Sequence, residues 1–370
     1  MKIALIHPFL YRYARGIERF TFNLANALAQ SGVDVHLVTW RWPQPVEIDV
    51  LDPRMRVHFM PTSRYYAAKV VIPFYVGHLL RQRYDFVWIY FAGYGEAEAL
   101  KLVRRQRFGI VFHYPYAQVP HRYEEFRHSG LAQRAARIVS VSQYVADGVQ
   151  EALGRDSVVI HHGVDTERFR PDPEVRARVR QALGLASTTP FLVTAAALEE
   201  RKGVQWVLRA LPEVLQTHPD TMYLVLGDGP YRSALEKLAQ TLHIDGHVRF
   251  LGVQADVVPF LQAADISVIL ARGEASSLTA LESMACGVPV IAADRPPFDE
   301  LIWPDWGILV QERNKDEVVH AIQHLLGHSD RRIAMGHAGR EQIRTKCTWT
   351  HVGSRYMQLL ASDMATNKTQ

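Results

Sequence analysis

Short apolar runs alternate with longer amphipathic stretches along the whole of this chain. Ile3-Ala4-Leu5-Ile6 reads as a first strand, and Ile17, Phe20, Leu24, Ala27 and Leu28 then recur at the spacing of one helix face. Gly32 ends that helix and Val33–Thr39 reads as the next strand. The rhythm returns at Phe86–Tyr90, Ile110–His113, Ile138–Val141 and Val158–His161. Strands alternating with helices predict a parallel sheet covered on both faces. The polar, proline-containing stretch 162–173 (HGVDTERFRPDP) interrupts the pattern and reads as a linker. Beyond it, strands are predicted at Phe191–Ala196, Tyr223–Leu226, Val248–Leu251, Ile266–Leu270 and Val288–Ala292. The expectation is an α/β protein of two doubly wound, Rossmann-like domains, residues 1–165 and 166–345. A C-terminal helix and tail over 346–370 would pack back on the first domain. Doubly wound sheets bind ligands at the carboxyl ends of their strands, so two in tandem predict a cleft between them.

The length of 370 residues supports two domains rather than one, at roughly 150 residues each. With 48% hydrophobic and 22% charged residues the chain is neither disordered nor fibrous. No apolar run reaches the roughly 18 residues that a membrane-spanning helix needs. The N-terminal MKIALIHPF lacks the small-residue cleavage site of a signal peptide. Two cysteines, Cys286 and Cys347, supply neither a disulfide framework nor a four-ligand zinc site, and a reducing cytoplasm is expected. The charge is uneven: residues 1–165 hold 20 Lys and Arg against 14 Asp and Glu, and the remainder 22 against 24. The basic half either meets an anionic partner or serves solubility.

The strongest local signal is Glu274-Ala-Ser-Ser-Leu-Thr-Ala-Leu-Glu282, followed by Ser-Met-Ala-Cys-Gly-Val-Pro-Val. It follows a predicted strand and runs into a helix. Ser276, Ser277, Leu278 and Thr279 at such a turn present backbone N–H groups at a positive helix end, which suits a phosphate. Glu282, inside the helix, can accept from sugar or ribose hydroxyls. On spacing alone, a capping carboxylate and an exposed helical glutamate is the favoured reading of the pair. Gly227-x-Gly229 lacks the third glycine of a dinucleotide fingerprint, so NAD is set aside. No two aspartates stand two apart, which removes the Asp-x-Asp triplet that often holds a metal on a diphosphate. His161-His162 has no third ligand cluster near it in sequence, and no metal or other cofactor is expected.

The 274–289 segment resembles the Glu-x7-Glu signature of the family 4 retaining nucleotide-sugar glycosyltransferases, two-domain enzymes of GT-B type. The resemblance covers nearly the whole chain. Leu198-Glu-Glu-Arg201-Lys202-Gly203 is similar to the family's Gly-Arg-Leu-x3-Lys-Gly segment, and Leu226-Gly-Asp-Gly-Pro230, Phe250-Leu-Gly252 and Ala264-Asp265 follow in the family's order. Gly16-Ile-Glu-Arg19 looks like its Gly-Gly-x-Glu-Arg turn, and Ser140-Val-Ser142, His162-Gly-Val-Asp165 and Phe169-x-Pro171 look like its domain-linking segment. The match is weaker between about 40 and 136.

The resemblance implies transfer of a sugar from a UDP- or GDP-sugar to an acceptor hydroxyl, with retention and without metal. Charge builds up on the departing diphosphate, so fixed cations and N–H groups belong there. Lys202 is similar to the family's diphosphate-binding lysine, with Gly16, Gly252, Glu274, Ser276, Ser277, Leu278, Thr279 and Glu282 as further donor-site residues. His113, Glu274 and Lys202 are the expected catalytic groups, His113 resembling the family's strand-end histidine beside the donor sugar. Two departures stand out. Ala196-Ala197 occupies the place of an expected arginine, for which Arg201 is the candidate substitute, and Pro296-Pro297 replaces a glycine pair before Glu300. Arg15 occupies the place of the other glycine beside Gly16, in the loop after the first strand.

The acceptor side is the least specific. Arg64–Tyr84 mixes aromatic and aliphatic residues with Arg64, Lys69, Arg81 and Arg83, and Lys101, Arg104, Arg105 and Arg107 follow. Such a stretch reads either as a buried helix with solvated ends or as a peripheral contact with the inner face of a membrane, where a lipid-linked acceptor would be met. The acceptor class is a glycan, a lipid-linked sugar or a small molecule, and nucleic acid is not expected. The competing readings are a catalytically degenerate nucleotide-sugar-binding subunit and, further off, a glycoside hydrolase using Glu274 and Glu282. Eight residues on one helix would separate that pair by about 12 Å, beyond the roughly 5–9.5 Å such carboxylates use.

Overall fold

The computed structural model describes residues 1–12, 16–42, 51–61, 68–91 and 95–367. The chain divides into two compact units, one of residues 1–163 with 349–370 and one of residues 164–348. Both are α/β, and every strand pairing among the described residues is parallel within a single sheet per unit.

In the first unit the strands are β1 (Lys2–Ile6), β2 (Asp34–Trp40), β3 (Arg56–Met60), β4 (Phe86–Ile89), β5 (Phe108–Phe112), β6 (Arg137–Ser140) and β7 (Val158–Val159), in the order β3-β2-β1-β4-β5-β6-β7. The central strands are continuous apolar runs because helices cover both sides, and β4 and β5 are buried throughout. The helix Gly16–Gln30 buries Ile17, Phe20, Leu24, Ala27 and Leu28, the face its spacing predicts. The terminal helix Trp349–Asn367 belongs to this unit. Trp349 meets Phe20 at 5.6 Å between ring centroids, Tyr356 meets Trp88 at 5.1 Å, and Gly353 lies against Ala27. The chain therefore leaves the first unit after Gly163 and re-enters it at Trp349, two and three residues from the boundaries expected at 165 and 346. The two strands of the crossing run side by side, Val164 N–H donating to Cys347 O at 2.7 Å.

The second unit carries β8 (Phe191–Ala195), β9 (Met222–Leu226), β10 (Val248–Gly252), β11 (Ile266–Ile269), β12 (Val290–Ala293) and β13 (Gly307–Val310), in the order β10-β9-β8-β11-β12-β13. Alternate residues of one strand enter opposite cores. Val193, Leu224 and Leu226 pack on one face with Phe298 and Met284, while Leu192, Tyr223 and Val225 pack on the other with Leu208 and Ile322. In both units the strand order reverses beside the first strand, between β1 and β4 and between β8 and β11. These are the switch points at which doubly wound sheets open a crevice at the strands' carboxyl ends.

The aromatic segment near residue 70 forms the helix Ala68–Gln82, with Pro73 inside it. Val71, Tyr75 and Leu79 are buried. Val70, Phe74 and Leu80 are 52–59% exposed, so this is no fully buried helix with solvated ends. Arg15 and Arg64 lie outside the described residues, as does the side chain of Lys69.

Candidate active site

Apart from Gly16, which lies in the first unit, the predicted donor-site residues lie on the loops, helix and strand end around the switch point of the second sheet. β8 ends at Ala195, and the chain makes a loop and the short turn Glu200–Lys202 before the helix Val204–Thr217. Backbone bonds lock this loop onto its neighbours. Leu198 N–H donates to Asp228 O at 3.0 Å and Tyr231 N–H to Leu198 O at 2.9 Å, which ties it to the turn after β9. Arg272 N–H donates to Arg201 O at 2.8 Å, which ties it to the turn after β11.

Two of the glycines there have no substitute. Gly203 has φ +77°, and a Cβ on it would stand 2.2 Å from Leu270 O. Gly227 has φ +121°, with a Cβ placed 1.9 Å from Ala196 O. Gly227 N–H donates to Gly252 O at 2.7 Å, which brings the end of β10 into the same cluster.

At the centre of this frame one carboxylate oxygen joins two cations. Glu274 Oε1 accepts from Lys202 Nζ at 2.7 Å and from Arg201 Nη1 at 2.8 Å. Lys202 and Glu274 are largely buried, and Arg201 is more open and also reaches Glu199 Oε2 at 2.6 Å. The cluster carries two positive charges against Glu274 and the outlying Glu199, in a partly desolvated setting.

Behind it stands the helix Leu278–Ala285, N-capped by Ser277, whose Oγ accepts from Ala280 N–H at 3.3 Å. The first amides of a helix have no partners within it, and they add positive potential at the turn. Ser276 Oγ is buried and finds no partner among the described residues, a polar atom available to a ligand. Thr279 is held back by donating to Ala195 O at 3.3 Å, and Glu282 is partly buried within the helix. Glu274 and Glu282 thus sit on different elements, one in the turn and one in the helix. An oxyanion placed here would meet cations, helix amides and a hydroxyl together. The sharing of Glu274 between Arg201 and Lys202 does not follow from the sequence pattern, since the pairs span 73 and 72 residues. The Pro296-Pro297 segment leads into the short helix Phe298–Leu301, which carries Glu300.

His113 lies in the other unit, immediately after β5. It is 7% exposed and packs edge-on against Phe20 at 4.5 Å between ring centroids. His7, after β1, and His162 are also buried; His113 and His162 both meet Phe20, and His113 and His7 both meet Tyr90. Burial lowers the pKa of all three, His7 and His162 to about 3 and His113 well below its ordinary value, with His162 and His7 adding to the effect on His113. They are neutral imidazoles at physiological pH. Gly16 is the exposed first residue of the helix Gly16–Gln30 rather than part of the preceding loop. Among the described residues no cluster of His, Cys, Asp or Glu could hold a metal ion, and no helix is long and apolar enough to cross a membrane.

Residues 14–168 match the family model for Glycosyltransferase Family 4, and residues 175–342 match that for Glycosyl transferases group 1. The chain belongs to glycosyltransferase family 4. It is 34% identical over 235 residues to a GDP-mannose-dependent monoacylated alpha-(1-6)-phosphatidylinositol monomannoside mannosyltransferase of Corynebacterium glutamicum, a match taking in 60% of this chain. The chain spans about three-fifths (61%) of that relative's length. The lipopolysaccharide core biosynthesis glycosyltransferase LpsE of Rhizobium meliloti is 28% identical over 361 residues, covering 94% of this chain and 96% of that one. The crystal structure of Anabaena HepE in complex with UDP superposes with a TM-score of 0.82 at 18% identity, over 98% of this chain and all of the other. Two doubly wound units of this kind are what the GT-B resemblance implies for the family 4 chain.

Proposed function

We propose that this family 4 chain is a retaining, metal-independent hexosyltransferase that takes a sugar from a GDP- or UDP-sugar and passes it to a hydroxyl of a glycolipid or glycan. The observation that carries the reading is the sharing of Glu274 Oε1 by Lys202 and Arg201 at the second sheet's switch point. Lys202, Arg201 and the amides at the start of the 278–285 helix receive the diphosphate, and their fixed positions stabilise the charge that grows on it as the sugar departs. Glu274 takes up sugar hydroxyls, Glu282 takes up the ribose, and His113 Nε2 hydrogen-bonds a hydroxyl of the transferred sugar. Arg201 fills the role of the arginine absent at Ala196-Ala197, because its guanidinium already bonds the carboxylate beside Lys202.

The mannosyltransferase of Corynebacterium glutamicum is named for a lipid-linked acceptor. A similar acceptor fits the exposed apolar residues of the 68–82 helix, Val70, Phe74 and Leu80, with Phe59 and Leu102 in the same unit, among exposed Arg81, Arg83, Arg104 and Arg105. Cationic and apolar groups together favour the surface of an anionic bilayer, met peripherally from the cytoplasmic side.

Thermal-shift measurements with GDP, UDP, GDP-mannose and UDP-glucose test the donor site. A ligand held only by the folded protein at 100 times its Kd stabilises by about 2.7 kcal/mol. A clear rise in melting temperature with at least one of them, absent in Lys202→Ala, is expected. A response to none of the four would overturn the reading. Nucleoside diphosphate binding without sugar release would instead favour a degenerate binding subunit.

A further inference from the structure

Three buried imidazoles sit together in the first unit, and only one contact joins two of them through ring nitrogens. His162 Nε2 lies 3.4 Å from His113 Nδ1, a long but directed approach. His113 Nε2 and His162 Nδ1, at the outer ends of this pair, have no partner among the described residues. His162 is held in place from both sides. Its ring lies against Phe20 at 5.0 Å between centroids, and Phe20 is in turn braced by Trp349 and Tyr356 of the terminal helix. The next residue, Gly163, passes so close to Trp349 that a Cβ there would stand 2.9 Å from its backbone. The ring therefore has little room to turn away from His113.

Two neutral imidazoles form one N–H···N bond between them, and its direction fixes both tautomers. If His113 Nδ1–H donates, His113 presents a bare Nε2, and His162 buries an N–H at Nδ1 with no acceptor. If His162 Nε2–H donates, the bare nitrogen is His162 Nδ1, and the unpaired N–H stands on His113 Nε2. Orphaned buried N–H groups are the rarer and costlier kind, and the second arrangement puts that donor on His113, the residue assigned above to a sugar hydroxyl that can accept it. We propose that His162 is a positioning residue for His113: it donates from Nε2 to His113 Nδ1 and so holds His113 as the Nε2–H tautomer, ready to donate to a sugar oxygen. This rests on the assignment of His113 as the sugar-facing group above. His162 does not itself touch the sugar.

The test combines spectroscopy with kinetics on the full chain. Long-range 1H–15N correlation of 15N-histidine-labelled protein, with His113 assigned by substitution, reads its tautomer. Wild type is expected to show Nε2–H alone. His162→Phe keeps the ring packing but removes the donor, and His113 should then populate the Nδ1–H form. His162→Gln carries an amide N–H at about the reach of Nε2 and should restore the wild-type tautomer, whereas His162→Asn is too short and should not. The last pair decides the matter should His162→Phe fail to fold. Release of nucleoside diphosphate from whichever sugar nucleotide gives the largest thermal shift should fall about tenfold in kcat/KM for His162→Phe and recover in His162→Gln. A wild-type His113 in the Nδ1–H form, or a tautomer unchanged in both His162→Phe and His162→Asn, overturns the proposal. Unaltered kinetics in His113→Ala is a separate failure, which removes His113 from the sugar site.

Discussion

Glu274→Gln is the most informative change to the donor site because it alters one charge and almost no volume. In the wild type, Oε1 of Glu274 is 2.7 Å from Lys202 Nζ and 2.8 Å from Arg201 Nη1. At an effective dielectric of about 20, a pair at 2.7 Å has a gross attraction of roughly 6 kcal/mol. Most of that is offset by the desolvation of the largely buried carboxylate and ammonium, which leaves a net of about 1–2 kcal/mol. Gln keeps an acceptor oxygen but not the charge, so folding should lose about 1 kcal/mol, a fall in Tm of roughly 2–4 °C. The effects on ligands run in opposite directions. A diphosphate no longer competes with Glu274 for the two cations, so free GDP or UDP should bind as tightly as before or up to about tenfold tighter. The sugar loses a charged acceptor worth roughly 1.5–3 kcal/mol, so kcat/KM for sugar release should fall about 10- to 100-fold. Calorimetric titration with the free nucleotide and kinetics with its sugar conjugate measure the two arms separately. A tenfold loss of free-nucleotide affinity in Glu274→Gln would refute the reasoning, since the cations would then not be held in readiness by Glu274. Adding Lys202→Met to the same variant should abolish any gain in nucleotide affinity.

Gly227→Ala places a Cβ 1.9 Å from Ala196 O at φ +121°, and should cost at least about 3 kcal/mol, whereas Gly184→Ala, at φ +66° with nothing within 4 Å, should cost about 1 kcal/mol; equal melting temperatures for the two variants would contradict the packing described. Glu96 is buried with neither carboxyl oxygen partnered among the described residues, and burial raises its pKa to about 8. Its folded-state pKa lies above the ordinary 4.5, so its contribution is full below about pH 4.5 and is lost as pH rises toward about 8. Denaturant titrations should show a loss of about 2 kcal/mol between pH 6 and 8 that is absent in Glu96→Gln, and parallel curves for the two proteins would refute the assignment. Phe74→Glu, on the exposed face of the 68–82 helix, should reduce co-sedimentation with vesicles containing phosphatidylglycerol several-fold while leaving nucleotide binding intact. Equal sedimentation of variant and wild type would remove that face from any bilayer contact.

Much of the architecture was legible because it is written in local periodicity. The strand β4 is a buried apolar run, and the face of the 16–30 helix follows from residues three and four apart. The close approach of the loop after β8 to β11 was marked in the sequence too, by Gly203, which no other residue can replace. What stayed hidden depends on chain segments far apart in sequence. The terminal helix looks like any other amphipathic segment until Trp349 and Tyr356 are seen against Phe20 and Trp88. The exposed face of the 68–82 helix was not separable from a buried one, because Val70 and Phe74 have the same chemistry as the buried Val71 and Tyr75 beside them. In the sequence His162 is half of a tandem pair and the first residue of the linking segment, and its partner is 49 residues away.

The same distinction separates what holds the proposed donor site together from what would make it reactive. Its scaffold is backbone: the loop after β8 is fastened to the turns after β9 and β11 by main-chain bonds at Leu198, Tyr231 and Arg272, and glycines admit the close approaches. Side chains could change there without moving the frame, which accounts for how Ala196-Ala197 can stand where the family pattern has an arginine. The guanidinium of Arg201 reaches Glu274 from a different point on the same loop, and in the function proposed above it supplies the cation that the alanines do not. On that proposal the carboxylate, and not the loop sequence, gathers the cations that would stand opposite a diphosphate. Restoring the arginine by Ala197→Arg would then add a third cation against one shared carboxylate, and the added repulsion should lower folding stability unless a nucleoside diphosphate is bound.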